Sequence, residues 1–239
     1  MLESLLFFIV LLTSSLTSAV GLGGGLILIG ILPNFLPPLS VIPAHAFTQL
    51  SSNASRAWLN LDVINWRWLG QFTIGSSIAL VCLWPLLNQI SGEHFPLFIA
   101  LYLLTSQWLP DFDNRFRMLN NVFLIGFVQT GMGFFVGATG PLAMGFFNRR
   151  GLQRDALIAN TAAFMVISHI TKIIVFSRLS SEVLAVWPSV LAMVIAAIIG
   201  SWLGMKFRRK INEHHFTVML KWLLSALAFH ILGRYFGLY

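Results

Sequence analysis

Gly21-Leu22-Gly23-Gly24-Gly25 and Gly137-Ala138-Thr139-Gly140-Pro141 interrupt long apolar segments at matching places in the two halves of the chain. Each follows a membrane-length apolar run and precedes a short one. Glycine lacks a Cβ and lets backbone N–H groups be approached closely. Within a bilayer, a broken helix persists only where protein or a water-filled cavity covers its free polar groups. Paired interruptions in corresponding positions of two repeats mark the binding site in many transporters.

Composition agrees with a membrane setting. Apolar residues make up 57% of the chain and charged residues 10%, against about 25% charged in soluble domains. The 15 Lys and Arg exceed the 8 Asp and Glu, for a net charge of +7. The basic residues cluster in short loops, so topology explains them better than nucleic acid does. Cys82 is the one cysteine, which excludes an internal disulfide and a cysteine-based metal cluster. The N-terminal Met1-Leu2-Glu3-Ser4 lacks the basic stretch of a secretory signal, so residues 2–20 read as a retained membrane helix.

A crossing needs about 20 apolar residues. Eight segments qualify, at roughly 2–20, 42–60, 67–89, 95–110, 119–136, 155–176, 183–205 and 214–237, with shorter apolar pieces at 22–34 and 139–147. At about 1.5 Å per residue, the stretches Glu3 to Asn34 and Leu119 to Arg150 are each too long for one upright helix. They must break, tilt or re-enter at the glycines. The halves also repeat. Gly21 and Gly24 map onto Gly137 and Gly140, and Ala46-Phe47-Thr48 onto Ala159-Asn160-Thr161. Ile90 with His94-Phe95 maps onto Ile211 with His215-Phe216. The expected fold is therefore all-α: a polytopic membrane protein of about eight spanning helices in two four-helix repeats, residues 1–115 and 116–239. Each repeat holds a glycine-interrupted or re-entrant half-helix. Four spans per half predicts parallel repeats.

The loop charges predict an orientation. Arg149, Arg150, Arg154, Lys206, Arg208, Arg209 and Lys210 form one set. Arg67, Arg115, Arg117 and Arg178, diluted by Asp62, Asp111, Asp113 and Glu182, form the opposite one. The first set belongs in the cytoplasm, with both termini outside. Trp66, Trp68 and Trp108 read as interfacial anchors.

The chain is similar to the sulfite exporter TauE/SafE family, also called the 4-toluene sulfonate uptake permeases. Leu16-Thr17-Ser18-Ala19-Val20-Gly21-Leu22-Gly23-Gly24-Gly25 resembles the family's N-terminal signature. Asp62-Val63-Ile64-Asn65-Trp66-Arg67 resembles the motif opening its third helix. Gly200-Ser201-Trp202-Leu203-Gly204, followed by Arg208-Arg209-Lys210-Ile211 and Phe216, resembles its seventh helix and the basic loop after it. The second glycine loop departs from the family's triple glycine. The resemblance implies secondary transport of a small anion, a sulfur oxyanion or organosulfonate such as sulfite, thiosulfate or sulfoacetate, in a bacterial inner membrane.

Two readings of the glycine loops stand side by side. In one, Gly21, Gly23, Gly24, Gly25, Gly137, Thr139 and Gly140 cradle an anion at half-helix N-termini, where free N–H groups and the dipole favour negative charge. Pro141 suits a helix start there. In the other, the glycines serve helix packing. Polar residues follow each break: Thr48, Gln49, Asn53 and Arg56 in the first half, Asn160, Thr161 and Lys172 in the second. They line a pathway or bond helix to helix. Arg56 and Lys172, near the outward ends of their helices, either attract an anion or snorkel. His45 and His169 are candidate proton carriers or structural hydrogen-bonders. No carboxylate sits mid-helix, which favours an anion over a cation. The chain carries no Gly-x-Ser-x-Gly, zinc or ATP-binding motif, so no enzyme, metal or cofactor is expected. The expected partners are a small anion, the bilayer and a coupling proton or sodium ion, with no nucleic acid. An anion channel is the first alternative and an intramembrane enzyme the second.

Overall fold

The computed structural model describes residues 2–21, 23–109, 120–206 and 213–238, and all regular structure among them is helical. Leu22, Asp111, Asp113, Arg115, Arg117, Arg208, Arg209, Lys210 and Ile211, and the expected repeat boundary at 115, lie outside the described residues. The principal helices are α1 (Leu2–Val20), α2 (Gly24–Ile31), α3 (Pro38–Trp58), α4 (Trp66–Leu87), α5 (Phe95–Trp108), α6 (Val122–Val136), α7 (Gly140–Arg149), α8 (Arg154–Leu179), α9 (Trp187–Lys206) and α10 (Glu213–Tyr235).

Five of the eight expected spans are long and apolar enough to cross a bilayer by length and composition: α1, α4, α8, α9 and His215–Tyr235 of α10. The other three differ for visible reasons. Helix α3 has the length, but Thr48, Gln49, Ser52, Asn53 and Arg56 lower its hydropathy, and all five are buried in the bundle. Helices α5 and α6 have only 14 and 15 residues.

Close backbone approach sets the helix pairs. A Cβ at Gly200 of α9 would collide with the Leu11 carbonyl of α1, and one at Gly204 with the Ser15 carbonyl. A Cβ at Gly126 of α6 would collide with the Phe72 carbonyl of α4, and one at Gly75 with the Phe123 carbonyl. Small residues permit such packing where lipid supplies no hydrophobic drive between helices. Thr130 adds a hydrogen bond to Ser76 at 2.8 Å. Both pairs, α1 with α9 and α4 with α6, run parallel. Helices α3 and α8 run antiparallel, with Ala57 near Ala159 and Ala163 at one end and Phe47 near Ile173 towards the other. So do α5 and α10, where Trp108 donates to Ser225 (2.7 Å) and His94 meets the Tyr235 hydroxyl (2.9 Å).

These directions overturn two expectations. Arg67 was expected opposite Arg150, yet the Arg150 guanidinium lies 5.2 Å from the ring of Trp68, the residue next to Arg67. Lys206 sits over Trp202, which shares an apolar groove with Trp58 at the start of the same loop. Arg67, Arg149, Arg150, Arg154 and Lys206 thus occupy one end of the bundle. Glu3, Glu93, Arg178, Glu182 and Arg234 occupy the other. The halves are also not parallel. Helix α1 starts at the Glu3 end and α2 folds back towards it, where Asn34 accepts from His230 and Arg234. Helix α6 starts at the basic end and α7 folds back there, ending beside Arg150. Each glycine break turns the chain round, so α3, α4 and α5 cross the bundle an odd number of times. The second hairpin then enters from the opposite end.

Gly204→Leu is expected to lower the thermal midpoint of the detergent-purified protein, at a cost of about 1–3 kcal/mol for overpacking. Gly70→Ala, whose Cβ would meet open space, is expected to leave it unchanged or raise it slightly. Equal midpoints for both variants would contradict the assigned α1–α9 contact.

Candidate functional site

Both breaks open on one cavity. Gly21, Gly23 and Gly25 line one side, and Ala138, Gly140 and Pro141 the other, enclosing about 50 Å³. The hairpins also clasp each other. A Cβ at Gly21 would press on Ile158 of α8 at 3.1 Å and Met144 of α7 at 3.2 Å, and one at Gly137 would collide with Ile29 of α2 at 2.7 Å. Gly21, Gly23 and Gly137 hold φ of +100°, +103° and +74°, where side-chain-bearing residues are strained. Helices α2 and α7 begin at the cavity, and neither has a side-chain cap. The first-turn N–H groups of α2 precede its intrahelical bonds; on α7, Pro141 has no N–H and Leu142 donates to the Thr139 carbonyl at 3.2 Å, which leaves that of Gly140.

The rest of the wall comes from α3 and α8, which cross antiparallel beside the breaks. His45, Gln49, Asn53 and Arg56 lie on α3, and Thr161, Met165 and His169 on α8. All seven are at least nine-tenths buried. The i, i+4 spacing of His45, Gln49 and Asn53 places them on one face. Asn53 donates to the Gln49 carbonyl and accepts from the Arg56 guanidinium, both at 2.7 Å, which holds the guanidinium at the cavity edge. His45 Nε2 donates to the Gly25 carbonyl at 3.0 Å, tying α3 to the first break. The His45 and His169 rings meet edge to face with centroids 5.7 Å apart.

Four buried polar atoms on this wall have no partner: His45 Nδ1, Gln49 Nε2, Thr161 Oγ1 and His169 Nδ1. Buried polar groups are normally hydrogen-bonded, so this cluster has bonding capacity that water or a polar ligand can take up. No Asp or Glu lines the cavity among the described residues.

The other residues expected at the site lie elsewhere. Gly24 faces α1, where a Cβ would collide with the Thr13 carbonyl and Thr17. Its position reflects packing, unlike Gly25 beside Gln49 and Gly140 beside the open cavity. Thr48 donates back to the Ala44 carbonyl within α3. Asn160 bonds the Asn65 N–H, the Val63 carbonyl and the Ala156 carbonyl, latching α8 to the α3–α4 loop. Thr139 donates to the Gln129 carbonyl of α6.

Lys172 differs most from its expected place. It is fully buried and donates to the Gly137 carbonyl at 2.5 Å. It does not snorkel, because its ammonium is held by the broken backbone rather than by an interface. Nor do Lys172 and Arg56 share an end of the bundle. Helix α3 ends at the basic end and α8 ends opposite, so the two cations flank the cavity from different directions.

Thr17, Met144 and Met165 line the cavity without having been singled out. Thr17 stands four residues before Gly21, so its place one turn ahead of the first break was available from spacing alone. The two methionines carry no sequence signal that separates them from core residues.

Among known proteins, the family model described as Sulfite exporter TauE/SafE matches residues 6–231. No curated protein and no solved structure matches the chain.

Two outcomes follow from the unequal glycines and from Lys172. Gly24→Ala is expected to reduce the yield of folded protein sharply, whereas Gly140→Ala should fold normally and bind ligand less well, since its Cβ enters the cavity. Size-exclusion profiles and ligand titration separate the two. Lys172→Met should cost about 1–3 kcal/mol, because the buried Gly137 carbonyl loses its donor. Thermal unfolding at low and high salt would show that loss unchanged by screening, unlike the loss of a surface charge.

Proposed function

Because this chain belongs to the sulfite exporter TauE/SafE family, a family of membrane transporters of sulfur anions, we propose that it is a secondary carrier for a small sulfur oxyanion, bound between the two broken helices. The observation that carries this reading is the shared cavity. Two uncapped half-helix N-termini, the Arg56 guanidinium, the Gln49 amide and the Thr161 hydroxyl converge on it, and among the described residues no carboxylate does. Helix N-termini and charge-assisted donors favour an anion.

The size of the cavity supports the small end of the substrate class. At about 50 Å³, it has room for on the order of four water-sized bodies. That suits sulfite or thiosulfate, whereas a bulky organosulfonate would require it to widen.

The helix directions support a repeat reading in which residues 1–115 and 116–239 are inverted copies. Helices α1 with α2, α3, α4 and α5 correspond to α6 with α7, α8, α9 and α10, and each runs opposite to its counterpart. Inverted repeats with discontinuous helices at their interface are a common basis of alternating access. On this reading the packed pairs α1–α9 and α4–α6 are equivalent by symmetry, and rocking one pair against the other opens the cavity to either side. The positive-inside rule places the end bearing Arg67, Arg149, Arg150, Arg154 and Lys206 in the cytoplasm and both termini outside. The proposed setting is a bacterial plasma membrane.

Flux of labelled sulfite and thiosulfate into proteoliposomes tests the proposal. Uptake should saturate, and preloaded unlabelled anion should drive counterflow. Arg56→Gln should raise the apparent KM roughly ten- to hundred-fold, the loss of a hydrogen bond to a charged group. Non-saturating flux without counterflow would establish a channel. Transport of a cation with no anion requirement would refute the reading.

A further inference from the structure

The hydrogen bonding of His45 bears on what the cavity accepts. Its Nε2 lies 3.0 Å from the Gly25 carbonyl oxygen, which can only accept. Nε2 therefore carries a hydrogen, and the neutral ring has its lone pair on Nδ1. That Nδ1 is buried, unpartnered and part of a side chain lining the cavity. The first break thus fixes the tautomer, in the way a second partner fixes which nitrogen of a histidine does the work.

The side chains that line the cavity then carry two kinds of group. Gln49 Nε2, Arg56 and the Thr161 hydroxyl can donate to the oxygens of an anion. His45 Nδ1 can only accept. A bare oxyanion placed against it sets lone pair against lone pair. One proton between an anion oxygen and Nδ1 converts that contact into a charge-assisted hydrogen bond.

We infer that the site binds its oxyanion together with one proton, shared between an anion oxygen and Nδ1 of His45. The proton arrives either on the anion, as in hydrogensulfite, or on the imidazole, and the bound composition is the same. The inference rests on the proposed anion site and adds His45 as the residue that couples proton to anion. The charged or titratable neighbours of His45 are Lys172 and His169 from α8, and Arg56 from α3 also faces His169. Thr17, Gly21, Gly23 and Gly25 on the first hairpin, and Ala138, Gly140 and Met144 on the second, contribute no titratable side chain to the wall. Proton and anion therefore promote each other's binding through one shared contact, and the linkage is reciprocal. A carrier built this way moves the anion with a proton rather than with sodium.

Calorimetric titration of the detergent-purified full chain, repeated in buffers of different ionisation enthalpy, reads the proton count directly. The probes are sulfite, at a pH where it is doubly charged, and methanesulfonate, which holds no proton near neutrality. Wild-type protein should take up about one proton per bound anion with either probe. His45→Gln keeps an amide able to donate to the Gly25 carbonyl but has no second ring nitrogen to accept a proton. Its proton uptake should fall to near zero, and its affinity should lose its pH dependence. Anion binding by wild type without proton uptake overturns this inference and leaves the transport reading standing, as does undiminished uptake by His45→Gln. Failure of wild type to bind either anion removes both readings. Should His45→Gln bind no anion, the wild-type proton count alone decides.

Discussion

A helix broken inside a bilayer leaves N–H and carbonyl groups that lipid cannot satisfy, each at a cost of several kcal/mol. This chain breaks two helices, and much of its buried polar chemistry answers that requirement. Lys172 donates to the Gly137 carbonyl and His45 to the Gly25 carbonyl. Arg154 reaches the Ala19 carbonyl in the last turn of α1, whereas the Gly25 carbonyl and the Gln129 carbonyl bonded by Thr139 lie inside α2 and α6. The donors come mostly from α3 and α8, the two polar helices, which explains why these lie at the centre of the bundle while the apolar α1, α4, α9 and α10 surround them.

The satisfaction is uneven, and the unevenness bears on the proposed site. Carbonyls at the breaks find donors within the protein. The N–H groups that open α2 and α7 find no side-chain cap. What remains exposed to the cavity is therefore positive in character, reinforced by Arg56 and Gln49. That balance suits the proposed anion. The two halves meet the same need with different residues: an imidazole on α3 ties the first break, an ammonium on α8 ties the second. That difference leaves the cavity with one ring nitrogen whose role is fixed and one cation whose charge is already engaged.

The reversal of the chain at each break has a second consequence. Because α2 and α7 fold back, the halves enter the bundle from opposite ends, and the glycine-mediated pairs α1–α9 and α4–α6 exchange helices between halves. Each half then contributes one hairpin, one polar helix and one packing surface to a common cavity. Arg67 joins Arg149, Arg150, Arg154 and Lys206 at one end for the same reason, while Arg178 stays at the other, which sharpens a charge asymmetry that loop-by-loop counting in sequence had divided between two sides.

The sequence by itself determined the membrane class, the positions of both breaks and the stock of polar residues beside them. These are legible because composition, apolar length and glycine clusters are local properties. It also marked Gly25, Gly140, Gln49, Arg56, His45 and His169, all of which line the cavity. Tertiary structure alone decided which glycines face a ligand space and which face a neighbouring backbone. Gly24 and Gly25 are adjacent in sequence, yet one abuts Thr13 and the other Gln49. It alone decided that Lys172 holds a carbonyl while Arg56 reaches the cavity, and that α1 and α6 enter the bundle from opposite ends. Those outcomes depend on helix direction and rotation about the helix axis, which are set by contacts between residues more than a hundred positions apart in sequence, as between Ser52 and Ser201. A single chain read locally carries no record of such distances.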